Sequence, residues 1–134
     1  MITGALPAVR RLRVALRWLL AWAYAAAGYL HLAQPAPFLS ITPGWVPESA
    51  TVVALTGVAE LAGAAGLIQP FWPRLRCAAG WGLAVYALCV WPANFNHMAI
   101  DLARPDGGLG LGYHVPRLLA QPLLIWLAVW VSRD

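Results

Sequence analysis

Lysine is absent from this chain, cysteine occurs twice, and only five of the 134 residues are acidic. Charged residues make up 10% of the sequence, against about 25% in an ordinary soluble domain. So few charges cannot clothe a water-facing surface, and the deficit points to lipid as the solvent. Cys77 and Cys89 lie twelve residues apart, about 18 Å along one helix, which is too far for a disulfide within it. Two thiols also fall short of a cysteine metal set. The nine basic residues are all arginine and lie beside apolar runs rather than on one solvated face, which argues against nucleic acid as a partner. There is no phosphate loop, dinucleotide fingerprint, nucleophile elbow or pair of catalytic carboxylates. An enzyme acting alone is therefore the weakest functional class.

What the chain does have is apolar length: 61% of it is hydrophobic. Its patterning predicts an all-α fold, a single integral membrane domain over 1–134 with transmembrane helices at about 12–33, 48–69, 73–92 and 116–132. A basic start before an apolar run is also a signal-peptide pattern. Here the run is long, contains Tyr24, Tyr29 and His31, and is followed by no A-x-A cleavage site. Arg17 is expected to snorkel to the interface. Residues 34–47 hold Pro35, Pro37, Pro43 and Pro47, too many prolines for a helix, in a stretch too apolar for a free loop. They read as an interfacial or re-entrant segment with Trp45 at headgroup level. Residues 93–115 read as a loop with a flexible centre at Asp106–Gly110. The arginines cluster at the amino-terminal flank, at Arg74 and Arg76, and at Arg133, so the positive-inside rule predicts cytoplasmic N and C termini. Pairs such as Ala59-x-x-x-Gly63 and Ala78-x-x-x-Gly82 allow close helix packing.

Against this background Glu60 stands out as the only ionisable residue between Ala50 and Ile68. A charge at mid-membrane costs at least about 2.5–3.5 kcal/mol on insertion scales, so it needs a partner, a proton or a purpose. Two readings remain open: a protonated carboxyl bonded between helices, or a ligand or proton site. Tyr24, Gly28 and His31 share one face of the first helix, and Thr56, Glu60 and Gly63 one face of the second. Asn94 follows the third helix, and Arg117 and Gln121 are one turn apart on the fourth. The candidate ligand-binding set is therefore Tyr24, His31, Glu60, Asn94, Arg117 and Gln121. Counting depth from the helix ends puts Tyr24 and Trp126 level with Glu60, so a phenol or indole is expected to reach it more easily than His31. His97 and His114 are expected in the loop. With no tight histidine spacing, the sequence argues against a metal.

The ordered set Gly28-x-x-His31, Pro35-x-x-Phe38, Ile41-x-Pro43-x-Trp45-x-Pro47, Thr56-Gly57-x-x-Glu60-x-x-Gly63, Pro92-Ala93-Asn94 and Arg117-x-x-x-Gln121 resembles the DoxX-like family. The likeness covers roughly residues 20–130, and it departs at Asn96-His97 and at Leu119. The resemblance implies a four-helix membrane bundle associated with quinone- or thiol-linked redox systems. The resulting expectation is a membrane subunit with an outward-facing polar pocket, for which a quinone is a compatible ligand. Its expected home is the bacterial cytoplasmic (inner) membrane. Its expected partners are the bilayer, a membrane-associated oxidoreductase and, if it self-associates, further copies of the chain. The alternatives are a carrier or binding module for a small solute or lipid, and an assembly partner without chemistry of its own.

Overall fold

The computed structural model describes residues 5–133 and contains, among them, helices and no strand. The helices are α1 (Ala5–Ala33), α2 (Ala36–Ile41), α3 (Ser49–Ile68), α4 (Pro73–Leu102) and α5 (Leu111–Ser132). The four long ones pack as a closed ring, α1 on α3, α3 on α4, α4 on α5 and α5 back on α1. The short α2 lies against α3 and α4 at the end of the bundle that also carries the 103–110 turn.

The outer faces are apolar on every long helix. Trp22 is 70% exposed, Leu55 61% and Leu119 71%, with Leu88, Val85 and Leu123 similarly open. Faces of this kind need lipid around them. Among the described residues three helices, α3, α4 and α5, are long and apolar enough to cross a membrane, where four were expected. The shortfall is α1, whose amino-terminal half carries Arg10, Arg11, Arg13 and Arg17, and whose remainder is diluted by Trp22, Tyr24, Tyr29 and His31.

Several predicted boundaries also move. Residues 93–115 are not one long loop: α4 runs straight through Pro92 to Leu102, and α5 starts at Leu111, before Pro116. A proline removes one intrahelical bond and normally stops a helix in water. In a packed membrane bundle a neighbour can supply the missing partners. Gln121 of α5 adds one bond to the α4 backbone before Pro92, donating from Nε2 to the Ala87 carbonyl at 2.7 Å. The proline-rich segment does contain a helix, α2. Pro35 caps it and Pro37 sits in its first turn, where a missing N–H costs nothing.

Arg17 reaches the end of the bundle where α5 finishes. It is buried, and its Nε donates to the Val131 carbonyl at 2.7 Å, while Arg13 donates to the Arg133 carbonyl at 3.2 Å. Cations at the last turn of α5 satisfy its orphan carbonyls and oppose the negative end of its dipole. At the same end, the Gln69 side chain clasps the 69–72 turn, accepting from the N–H groups of Phe71 and Trp72 and donating to the Trp72 carbonyl. An apolar core of Leu20, Ala21, Ala64, Leu67, Leu83, Ala128 and Val131 fills this half of the bundle. The other half is where the polar side chains collect.

Two glycines set the α1–α3 distance. A Cβ on Gly57 would lie 2.8 Å from the His31 Cβ and 2.9 Å from the Gly28 carbonyl oxygen. Around Gly82 nothing lies within 4 Å. Gly57→Ala is therefore expected to destabilise the fold by roughly 1–3 kcal/mol through overpacking. Gly82→Ala is expected to be neutral or to stabilise it by up to about 1 kcal/mol through helix propensity. Thermal unfolding in detergent micelles checks the contrast, and equal melting temperatures for the two variants would remove the close-approach argument.

Candidate functional site: a polar cavity between the four helices

Between the half-bundle core and α2 lies a cavity of about 340 Å³. Its walls include Tyr24, His31, Glu60, Asn94, Arg117 and Gln121, the whole set expected from the sequence. The structure adds Phe38, Thr56 and Tyr86, which the sequence reading left out of the site. Aliphatic groups, among them Val53, Val90 and Leu124, complete the wall.

The deepest polar element is the His31–Glu60 pair. Glu60 is 3% exposed, and its Oε2 lies 2.8 Å from His31 Nδ1. A phenol does reach Glu60, from Tyr86 rather than from the expected Tyr24. His31 reaches it as well, because α1 and α3 do not start at a common plane. The Gly28–Gly57 contact brings Gly28 beside Glu60, so that His31, one turn on, reaches the carboxylate. Trp126 is 55% exposed and stacks on Trp130 instead.

Nδ1 also lies 2.8 Å from the Ala27 carbonyl, and the ring N–H is aligned with that oxygen. With two oxygens facing it, Nδ1 carries the proton in the neutral ring. Glu60 Oε2 is consequently close to the ring yet off the N–H axis, and it has no hydrogen-bond partner among the described residues. The Tyr86 hydroxyl is within hydrogen-bonding reach of Glu60 and of Thr56. The edge of the Tyr24 ring meets Tyr86, with centroids 6.1 Å apart.

Above this pair, Phe38 of α2 stacks on the His31 ring at 3.7 Å. Asn96 holds α2 in place by donating to the Ile41 carbonyl at 2.8 Å. On the opposite wall Asn94 and Gln121 are both buried and meet at 3.5 Å, the outer limit of a hydrogen bond.

Arg117 links the cavity to a second cluster. Its NH1 lies 2.7 Å from His97 Nδ1, and its guanidinium sits over the Tyr113 ring. His97 and His114, expected in a loop, are helical residues on α4 and α5. Asp101 lies between them, accepting from His114 Nε2 at 2.9 Å and from the Leu109 N–H at 3.0 Å on the same oxygen. The 103–110 turn is held rather than loose at its centre. Gly108 has φ +56° and a Cβ there would strike the Asp101 side chain, so only glycine fits. Next to it, the Gly108 N–H, with Arg104 alongside, holds the Asp106 carboxyl below the usual carboxylate range. The sequence signal for this cluster was present: Asn94, His97 and Asp101 share a helix face once the helix is carried past Pro92.

The family model described as Domain of unknown function (DUF8561) matches residues 20–132. No curated protein and no solved structure matches the chain.

The α2 hook yields a prediction. Asn96→Ala removes one hydrogen bond worth about 0.5–1.5 kcal/mol net, so amide exchange over residues 36–42 should quicken by roughly 2–10-fold. Hydrogen exchange with mass analysis reads this directly; unchanged protection would mean that packing alone seats α2.

Proposed function

The chain belongs to the DUF8561 family, and we propose that this member is an integral membrane subunit that binds a small quinone-like ligand in the cavity beside Glu60. The observation that carries the reading is the Glu60 carboxylate: buried, facing the cavity, and with one oxygen left without a hydrogen bond. With His31 Nδ1 at 2.8 Å as its near neighbour, a buried charged oxygen is still costly unless a ligand or a proton completes it.

The rest of the wall suits such a ligand. A quinol hydroxyl can donate to the Glu60 carboxylate, and quinone carbonyls accept hydrogen bonds, for which Tyr24, Asn94, Gln121 and Arg117 offer donors. Phe38 and the aliphatic residues supply the apolar contact that ligand sites are mostly made of. Reducing a quinone to a quinol takes two electrons and two protons. The electrons come from a membrane-associated oxidoreductase partner, and the His31–Glu60 pair is placed to pass the protons. This reading accords with the resemblance to the DoxX-like family and makes the chain a redox-associated subunit, not an enzyme by itself.

In this reading α1 crosses the membrane as the fourth span, because it packs along α3 and its arginines gather at one end. The positive-inside rule then places both termini in the cytoplasm of a bacterial inner membrane and turns the cavity outward. Reporter fusions at the two termini should both report the cytoplasmic side.

The binding test uses ubiquinone-1 as probe. It should raise the melting temperature of the detergent-purified chain in proportion to concentration. Glu60→Gln and His31→Ala should each weaken that response by at least about tenfold, a loss of some 1.4 kcal/mol. No stabilisation by the quinone, or a full response in both variants, would reject the reading.

A further inference from the structure

The cluster beyond Arg117 has a chemistry of its own. One donor atom from each of His97, Asp101 and His114 lies within 4.8 Å of the other two, and both histidines present Nε2 to Asp101 Oδ2. We propose that His97, Asp101 and His114 bind one divalent transition-metal ion, with Arg117 as the cation that closes the site when no metal is present. The proposal stands on these residues alone and does not depend on what occupies the cavity.

Three features argue for it. The first is the donor set: two imidazoles and one carboxylate suit Zn²⁺ and its first-row neighbours, and leave a coordination position open. The second is spacing. A tetrahedral Zn²⁺ with bonds of about 2.0–2.1 Å keeps its donors about 3.3–3.4 Å apart. Two of the three donor pairs bracket that figure, His114 to Asp101 at 2.9 Å and His97 to Asp101 at 3.6 Å, and the third lies within 4.8 Å. Small rotamer adjustments would admit an ion. The third is His114 itself: it is 0% exposed, and its Nδ1 has no hydrogen-bond partner among the described residues. That Nδ1, bonded to no neighbour among them, is free to take the proton that an ion would displace from Nε2.

Arg117 gives the site its distinguishing behaviour. A guanidinium only donates, so His97 Nδ1 accepts from it and the ring proton sits on Nε2, on the side of Asp101. A metal bound at Nε2 displaces that proton, which moves to Nδ1, and Nδ1 can then no longer accept from Arg117. Metal binding therefore expels the guanidinium from His97. Arg117 already lines the cavity, so a guanidinium released from His97 is free to turn into it.

The experiment titrates the purified full chain, stripped of metal by a chelator, with Zn²⁺ and with Co²⁺ as a spectroscopic probe. The expected result is one ion per chain, with Co²⁺ ligand-field bands of a nitrogen–oxygen site and no thiolate charge-transfer band. His114→Ala and Asp101→Asn should each lower affinity by at least about tenfold, the loss seen when even an outer-shell partner of a metal site is removed. Should His114→Ala fail to fold by circular dichroism, His97→Ala at its partly exposed position serves in its place. Arg117→Gln should tighten binding severalfold, because the competing cation is gone. The double variant Cys77→Ser, Cys89→Ser should bind as the parent does. The proposal is overturned by the absence of saturable binding, by unaltered affinity in the histidine and aspartate variants, by loss in the cysteine variant, or by weaker binding in Arg117→Gln.

Discussion

Hydrocarbon offers no hydrogen bonds, so a polar atom on the spanning part of this chain must find its partner inside the bundle, and that requirement organises the structure. The outer faces of α3, α4 and α5 are apolar, while Glu60, Asn94, His114 and Gln121 are all buried. Arginine obeys the same rule. Arg17, in the middle of α1, turns inward to the free carbonyls at the end of α5 and so ties the first long helix to the last. The two partners lie more than a hundred residues apart, yet each meets a need of the other.

Close approach of α1 and α3 turns this inward collection of polar groups into a site. Gly28 and Gly57 remove the side chains that would hold the two helices apart, and the register they permit sets His31 against Glu60. The bundle is then divided along its axis. Leucine, alanine and valine fill the half near the termini, and the half under α2 is left with a polar-walled cavity. The filled half anchors the helices whose other ends present the side chains. Preorganisation of this kind spares a ligand the cost of ordering its own site.

Proline has opposite consequences in the two places where it is dense. Around α2 it starts a short helix and ends it, seating Phe38 over His31. In α4 and α5 it is absorbed within the packed bundle, and in α4 the facing helix adds a hydrogen bond to the backbone before Pro92. Continuation past Pro92 brings Asn94, His97 and Asp101 onto one line facing α5. Arg117 then bridges that line and the cavity, touching His97 on one side and lining the pocket on the other.

The amino-acid sequence by itself determined the helical class, the lipid-facing character, the approximate positions of α3, α4 and α5 within the chain, and the six polar residues that line the cavity. Each of these follows from composition and from a periodicity of 3.6, which are local properties. Only the tertiary structure decided what touches Glu60, because register between helices depends on where glycines let backbones meet and not on distance from a helix end. It alone decided that α4 and α5 run through their prolines, since the neighbours that hold a proline-containing helix together belong to other segments of the chain. The His97–Asp101–His114 cluster was hidden for the same reason. Its members are spread over eighteen positions and two helices, and they meet only because a glycine turn folds α5 back onto the end of α4.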